Sequence, residues 1–118
     1  METLYNKNGD PIAYLNDDNE HIYLFNGQPV AYLKDESVYN YRGRYLGWKY
    51  EGWYFDRNGY RAFFTECAVG GPIKPIKKIK PVRAIKNIRP IKSIKEVRPN
   101  KPIRLLAWSP LNLFEYFL

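Results

Sequence analysis

The chain has 118 residues, a formal net charge of +7, one cysteine and one histidine. Its length sets an expectation of one domain, and the lone Cys67 excludes an internal disulfide and cannot build a metal site by itself. No apolar run long enough for a membrane-spanning helix is present and no basic leader precedes an apolar stretch, so the expected location is cytoplasmic.

The charge is unevenly spread. Residues 1–69 sum to −3, residues 70–104 to +11 and residues 105–118 to −1. An acidic head followed by a basic stretch marks that stretch as an interaction segment. The expected organisation is a β domain over 1–69, a triplet-repeat tail over 70–104 and an apolar docking segment over 105–118.

The head is built from four copies of one unit, running 4–15, 22–33, 38–49 and 54–65. Each carries a glycine at its centre, Gly9, Gly27, Gly43 and Gly59, spaced 18, 16 and 16 residues apart. Three of the four read Asn-Gly between β-rich runs, the strongest short-range hairpin signal, and predict a two-residue type I′ turn. Arg42-Gly43 fits that turn less well. The register that follows sets Tyr5 opposite Ile12 and puts Tyr5, Ile12 and Tyr14 on one face. The same face in the other copies takes Tyr23, Val30 and Tyr32, then Tyr39, Leu46 and Trp48, then Phe55, Ala62 and Phe64. The candidate core aromatics are therefore Tyr5, Tyr14, Tyr23, Tyr32, Tyr39, Trp48, Phe55 and Phe64. A single hairpin is marginal in water, so the four must pack together as a meander or, preferably, as a closed ring that leaves no exposed edge. The short linkers at 16–21, 34–37 and 50–53 make successive hairpins neighbours.

After Gly70-Gly71 the pattern changes to a period of three, from Pro72-Ile73-Lys74 to Pro102-Ile103-Arg104. The middle position is Ile or Val except at Asn100. The third position is always basic: Lys74, Lys77, Lys80, Arg83, Lys86, Arg89, Lys92, Lys95, Arg98, Lys101 and Arg104. Neither an α-helix nor a strand keeps a three-residue repeat on one side, whereas polyproline II has three residues per turn. A polyproline II tail would carry one stripe of Ile/Val, one of Lys/Arg and one of Pro and mixed residues. The segment Leu105–Leu118 is apolar, and Ser109-Pro110 reads as an N-cap and first turn of a short helix over 111–117. Such a segment is expected to dock on its own head or a sister chain. The sharper alternative is a peptide for another protein's groove.

The Tyr-x-x-Asn-Gly hairpins, the Gly70-Gly71-Pro72-Ile73-Lys74-Pro75 junction and the closing Trp108-Ser109 with Phe114-Glu115-Tyr116-Phe117 together resemble the four-fold β-flower proteins, a small and mostly bacterial family. The resemblance covers nearly the whole chain and implies four-fold pseudo-symmetry in the head. It implies no activity, cofactor or ligand. The fold class expected is all-β: four tandem hairpins with pseudo-four-fold symmetry, an extended polyproline II-like basic tail and a short apolar end.

Catalysis has little to work with. His21 sits in the first linker among Asp17, Asp18 and Glu20, a grouping that reads as a solvated acidic loop rather than a calcium loop. Cys67 has no visible base partner and reads as an ordinary small apolar residue. No phosphate loop or paired carboxylate motif is present, and no enzyme, cofactor, metal or small-molecule substrate is expected. The eleven third-position cations of the tail are candidate polyanion contacts, for nucleic acid or an anionic membrane surface. The favoured reading is structural or interactive: the Ile stripe packs on aromatic grooves of the head or a neighbouring chain, in a homo-oligomer or with another protein, and Lys/Arg turn to solvent.

Overall fold

In the computed structural model, which describes residues 1–118, eight strands form one antiparallel closed barrel. They are β1 (Glu2–Tyr5), β2 (Pro11–Leu15), β3 (His21–Leu24), β4 (Pro29–Lys34), β5 (Ser37–Tyr39), β6 (Tyr45–Tyr50), β7 (Trp53–Asp56) and β8 (Arg61–Phe64). Each strand pairs with the next in the chain, and β1 closes the ring on β8 through Tyr5 and Phe64. The ring, not the meander, is the arrangement adopted, and it leaves no free sheet edge.

The four glycine turns share one geometry, and it is not the two-residue turn. Asn6 pairs with Asp10, Leu24 with Gln28, Asn40 with Arg44 and Asp56 with Tyr60, while each glycine N–H returns to the first residue of its loop. Three residues are enclosed, and in each loop only the last, the glycine, has positive φ, between 79° and 95°. This is the three-residue loop in which a type I turn is followed by a left-handed residue. Arg42 therefore fits as well as Asn8, because its position needs no positive φ. In three copies the first loop residue locks the turn: Asn6, Asn40 and Asp56 each accept two backbone N–H groups on one Oδ1. The two-residue connections with both φ values positive lie instead between hairpins, at Asp35-Glu36 and Glu51-Gly52.

The longer loop shifts the register. Tyr5 pairs with Pro11 and Leu4 with Ala13, which leaves Ile12 as an extra residue, and a shift recurs at the same point of all four hairpins. A bulge of one residue exchanges faces. Leu46 consequently joins the barrel interior with Leu4, Ala13, Leu15, Ile22, Ala31, Val38, Tyr54 and Phe63, and the half-buried Ile12, Val30 and Ala62 pack against that cluster rather than on the aromatic face. The eight aromatics line the outer face and are nonetheless buried. They stack in four pairs where hairpins meet: Tyr5 on Phe64, Tyr14 on Tyr23, Tyr32 on Tyr39 and Trp48 on Phe55, with ring centroids 5.0–5.9 Å apart.

The C-terminal segment closes one end of the barrel. Helix α1 (Leu113–Phe117) starts later than the sequence suggests, because Asn112 and Glu115 form a reciprocal capping box. Ser109 is engaged elsewhere, donating from its hydroxyl to Asp56 at 2.6 Å. Tyr116 enters the interior cluster, packs edge-on against Phe63 and donates to the carbonyl of Phe55 at 3.1 Å.

Candidate interaction surface

Residues 72–104 form neither helix nor strand, yet they are bound to the head at regular stations. Lys78, Asn87, Glu96 and Leu105 donate their backbone N–H groups to the carbonyls of Gly9, Gly27, Gly43 and Gly59 at 2.9, 2.9, 2.8 and 2.9 Å. The donors are nine residues apart, so three triplets carry the tail from one hairpin to the next. A second bond runs from Ala84 to Phe25 and from Ser93 to Tyr41. The residues at the same place in the first and last units are Pro75 and Pro102, which have no N–H to give.

The turn glycines serve this contact as well as their own turns. A Cβ on Gly9, Gly27, Gly43 or Gly59 would overlap the carbonyl oxygen of Ile76, Ile85, Ile94 or Ile103 respectively. The tail backbone thus lies directly on each turn. Arg61 fastens the two ends of the circuit. Its guanidinium borders Gly71 at the start, donates from Nε to the carbonyl of Leu105 at 2.9 Å, and lies 4.8 Å from the ring centres of both Trp53 and Phe55. Beyond it, Ala107 and Ser109 bond both backbone groups of Arg61, and Trp108 packs edge-on against Trp53 and Phe64.

The basic stripe faces the head. Lys74 lies over Trp53, Arg83 over Tyr14, Lys101 over Trp48 and Arg104 over Tyr50. Lys86 sits above the Tyr14–Tyr23 pair and Lys95 above the Tyr32–Tyr39 pair. Lys92 lies 4.4 Å from the Tyr32 ring centre and 2.6 Å from Glu20. Arg89 donates to the Tyr23 hydroxyl, Arg98 to Ser37, and Lys80 faces Glu66. Only Lys77 has none of these contacts, and all eleven residues remain exposed in part. Aromatic faces attract cations through their quadrupole, and burial pushes the Tyr14 and Tyr32 hydroxyls above their ordinary pKa. These contacts leave the side chains partly open to water: Lys80 beside Glu66 and Lys92 over Tyr32 remain 40% and 37% exposed.

The aliphatic stripe faces away, so it does not pack on the aromatic grooves of its own head. Ile73, Ile76, Ile79, Val82, Ile85, Ile88, Ile91, Ile94, Val97 and Ile103 are all 83–96% exposed. The reason is geometric. The first position of each triplet supplies the backbone contacts and the third supplies the cations, so two of three sides are committed to the head and the middle one is left outward. The result is an aliphatic belt around the molecule, flanked by partly covered cations.

The smaller candidates fare differently. His21 is buried, not solvated, with Nδ1 2.7 Å from Asp18 and Nε2 3.4 Å from Glu20. Burial acts to raise the Asp18 pKa, but bonds from the His21 ring and the N–H groups of His21 and Glu20 outweigh it and hold the carboxyl far below its usual range. Cys67 is exposed rather than a packed apolar residue. No helix is long and apolar enough to cross a membrane.

The sequence carries a readable sign of the four stations that the triplet period conceals. Proline recurs every ninth residue at Pro72, Pro81, Pro90 and Pro99, which is the spacing of the docking bonds. Among known proteins, the family model described as "4-fold beta flower protein" matches residues 2–117. No curated protein and no solved structure matches.

Proposed function

Because the chain belongs to the 4-fold beta flower family, whose description names an architecture, we propose a function from the surface itself: a non-enzymatic interaction module that presents its aliphatic belt to a partner. The observation that carries this reading is the exposure of ten Ile and Val side chains at a fixed spacing, on a backbone tied to the head. Ten aliphatic side chains left almost wholly in water along one line are a large expanse of exposed apolar surface, the feature by which interaction sites are recognised.

The tail is read as a polyproline II strap. Three stripes with three distinct surroundings fit a helix of three residues per turn. Length fits too: the molecule measures 37 × 36 × 22 Å, a disc of roughly 115 Å perimeter, and 33 residues at about 3.1 Å each cover roughly 100 Å. The strap then has two tasks, closing the aromatic face with its cations and offering its aliphatics outward. The alternative, nucleic-acid binding through the cations, is disfavoured because the strap holds no aromatic side chain on which a base could stack and presents aliphatic side chains outermost.

The test replaces Ile85, Ile88 and Ile91 with serine and measures thermal stability beside retention on a hydrophobic matrix. The expected result is an unchanged melting temperature with loss of retention. A large drop in melting temperature would mean that these side chains pack against the head, and the reading would fail.

A further inference from the structure

We infer that the surface this belt recognises is an anionic lipid bilayer, an assignment that rests on the interaction reading above and names its partner. Three classes of partner could accept a belt of this kind, and the charges discriminate among them. A second copy of the chain would set belt against belt. Each tail carries a net +11, so two tails in contact would repel along their length. A nucleic acid would meet isoleucine first, for which its phosphates have no use, and would find no aromatic in the strap on which a base could stack. A bilayer interface has what both lack. Its acyl boundary accepts aliphatic side chains without a shaped pocket, and its anionic headgroups answer the flanking positive charge.

The strap orders the two components for this use. Aliphatics project at every third residue, and the eleven third-position Lys and Arg residues beside them all remain exposed, with Lys77 free of any contact to the head. The belt is fixed before contact, because its backbone bonds the four turn glycines. Binding would therefore cost little ordering of the strap, unlike an amphipathic segment that must fold on the membrane. Attachment would be peripheral, since no helix is long and apolar enough to span.

The experiment is co-sedimentation of the full chain with vesicles of phosphatidylcholine alone and of phosphatidylcholine mixed with phosphatidylglycerol, in low and high salt. Binding to the mixed vesicles is expected to be about tenfold tighter than to the neutral ones and to weaken with salt. The variant Ile85→Ser, Ile88→Ser, Ile91→Ser should lose it at unchanged melting temperature. Wild-type protein that is retained on a hydrophobic matrix yet ignores anionic vesicles overturns the lipid assignment and leaves the belt reading standing. A dimer in light scattering that the triple variant dissolves, with no vesicle binding, does the same, whereas binding to single-stranded DNA that the triple variant keeps, with no vesicle binding, overturns both. Vesicle binding by the triple variant equal to wild type overturns the role of the belt itself.

Discussion

Arg61 Nε donates to the carbonyl of Leu105 at 2.9 Å, so a side chain of the last strand holds the far end of the strap. The same guanidinium lies against Trp53 and Phe55 and borders Gly71, where the strap begins. Its loss removes a charge-assisted bond, worth about 1.5–3 kcal/mol, and a partly desolvated cation–π contact of about 1–2 kcal/mol. Arg61→Ala is expected to lower unfolding free energy by roughly 2–4 kcal/mol in urea denaturation. It should also expose the strap to trypsin at both ends. A variant as stable and protease-resistant as wild type would refute the clasp.

The turn glycines carry two demands that can be separated. Gly27→Ala places a side chain at φ of 95° and into the carbonyl of Ile85. Gly70→Ala meets only the first demand, with φ of 69° and no atom near the new Cβ. A left-handed residue with a Cβ costs about 1–2 kcal/mol. The Gly70 variant should lose about that much and the Gly27 variant clearly more. Amide exchange at Asn87, whose N–H is bound to Gly27, should accelerate only in the Gly27 variant.

Proline substitutions should follow the nine-residue unit. Ala84→Pro and Ser93→Pro copy Pro75 and Pro102 at the equivalent places and forfeit one backbone bond each, so each should cost about 0.5–1.5 kcal/mol, the net worth of that bond. Asn87→Pro removes the station bond to Gly27 where no unit has proline, and should cost about 1–3 kcal/mol. Equal melting temperatures for Ala84→Pro and Asn87→Pro would contradict the stations.

Acid should weaken the first linker through Asp18. Its carboxyl is held well below the ordinary 3.8 by bonds from His21 and Glu20 that overcome burial. The folded chain thus binds this proton less readily than the unfolded chain, and lowering pH favours unfolding. The contribution is complete above the unfolded value, near ~3.9, and is lost as pH falls from there toward the folded value. Asp18→Asn should flatten that part of the pH–stability curve, measured by denaturant midpoint from neutral pH downward.

The number of hairpins and the position of each turn are legible in the sequence because only glycine sits easily at positive φ. The turn type is not, because Asn-Gly suits two loop lengths. The residues that decide are Asn6, Asn40 and Asp56, three positions before the glycine, whose side chains bind two N–H groups only in the longer loop. That choice moves Ile12, Val30, Leu46 and Ala62 to the other face, so one local ambiguity reaches the composition of the core. Hydropathy alone directs the isoleucines inward. What turns them outward is backbone pairing between Asn87 and Gly27 or Glu96 and Gly43, contacts more than fifty residues apart that side-chain pattern does not encode. The aromatic face was open to both stripes in principle, and the tyrosine ring faces favour cations over aliphatics.

The one-to-one match of turn and tail unit also limits how such a molecule can change size. A duplicated hairpin would add a petal with no strap above it, leaving a stacked aromatic pair bare. A duplicated stretch of nine tail residues would leave slack with no glycine to receive it. The two kinds of unit are encoded in separate blocks, the hairpins all before residue 66 and the strap all after residue 71. Growth by a single copying event is therefore blocked, and shortening by one unit faces the same obstacle. The strap works as a ruler read against the head, and the number four is protected by the need to alter two distant stretches of the chain at once.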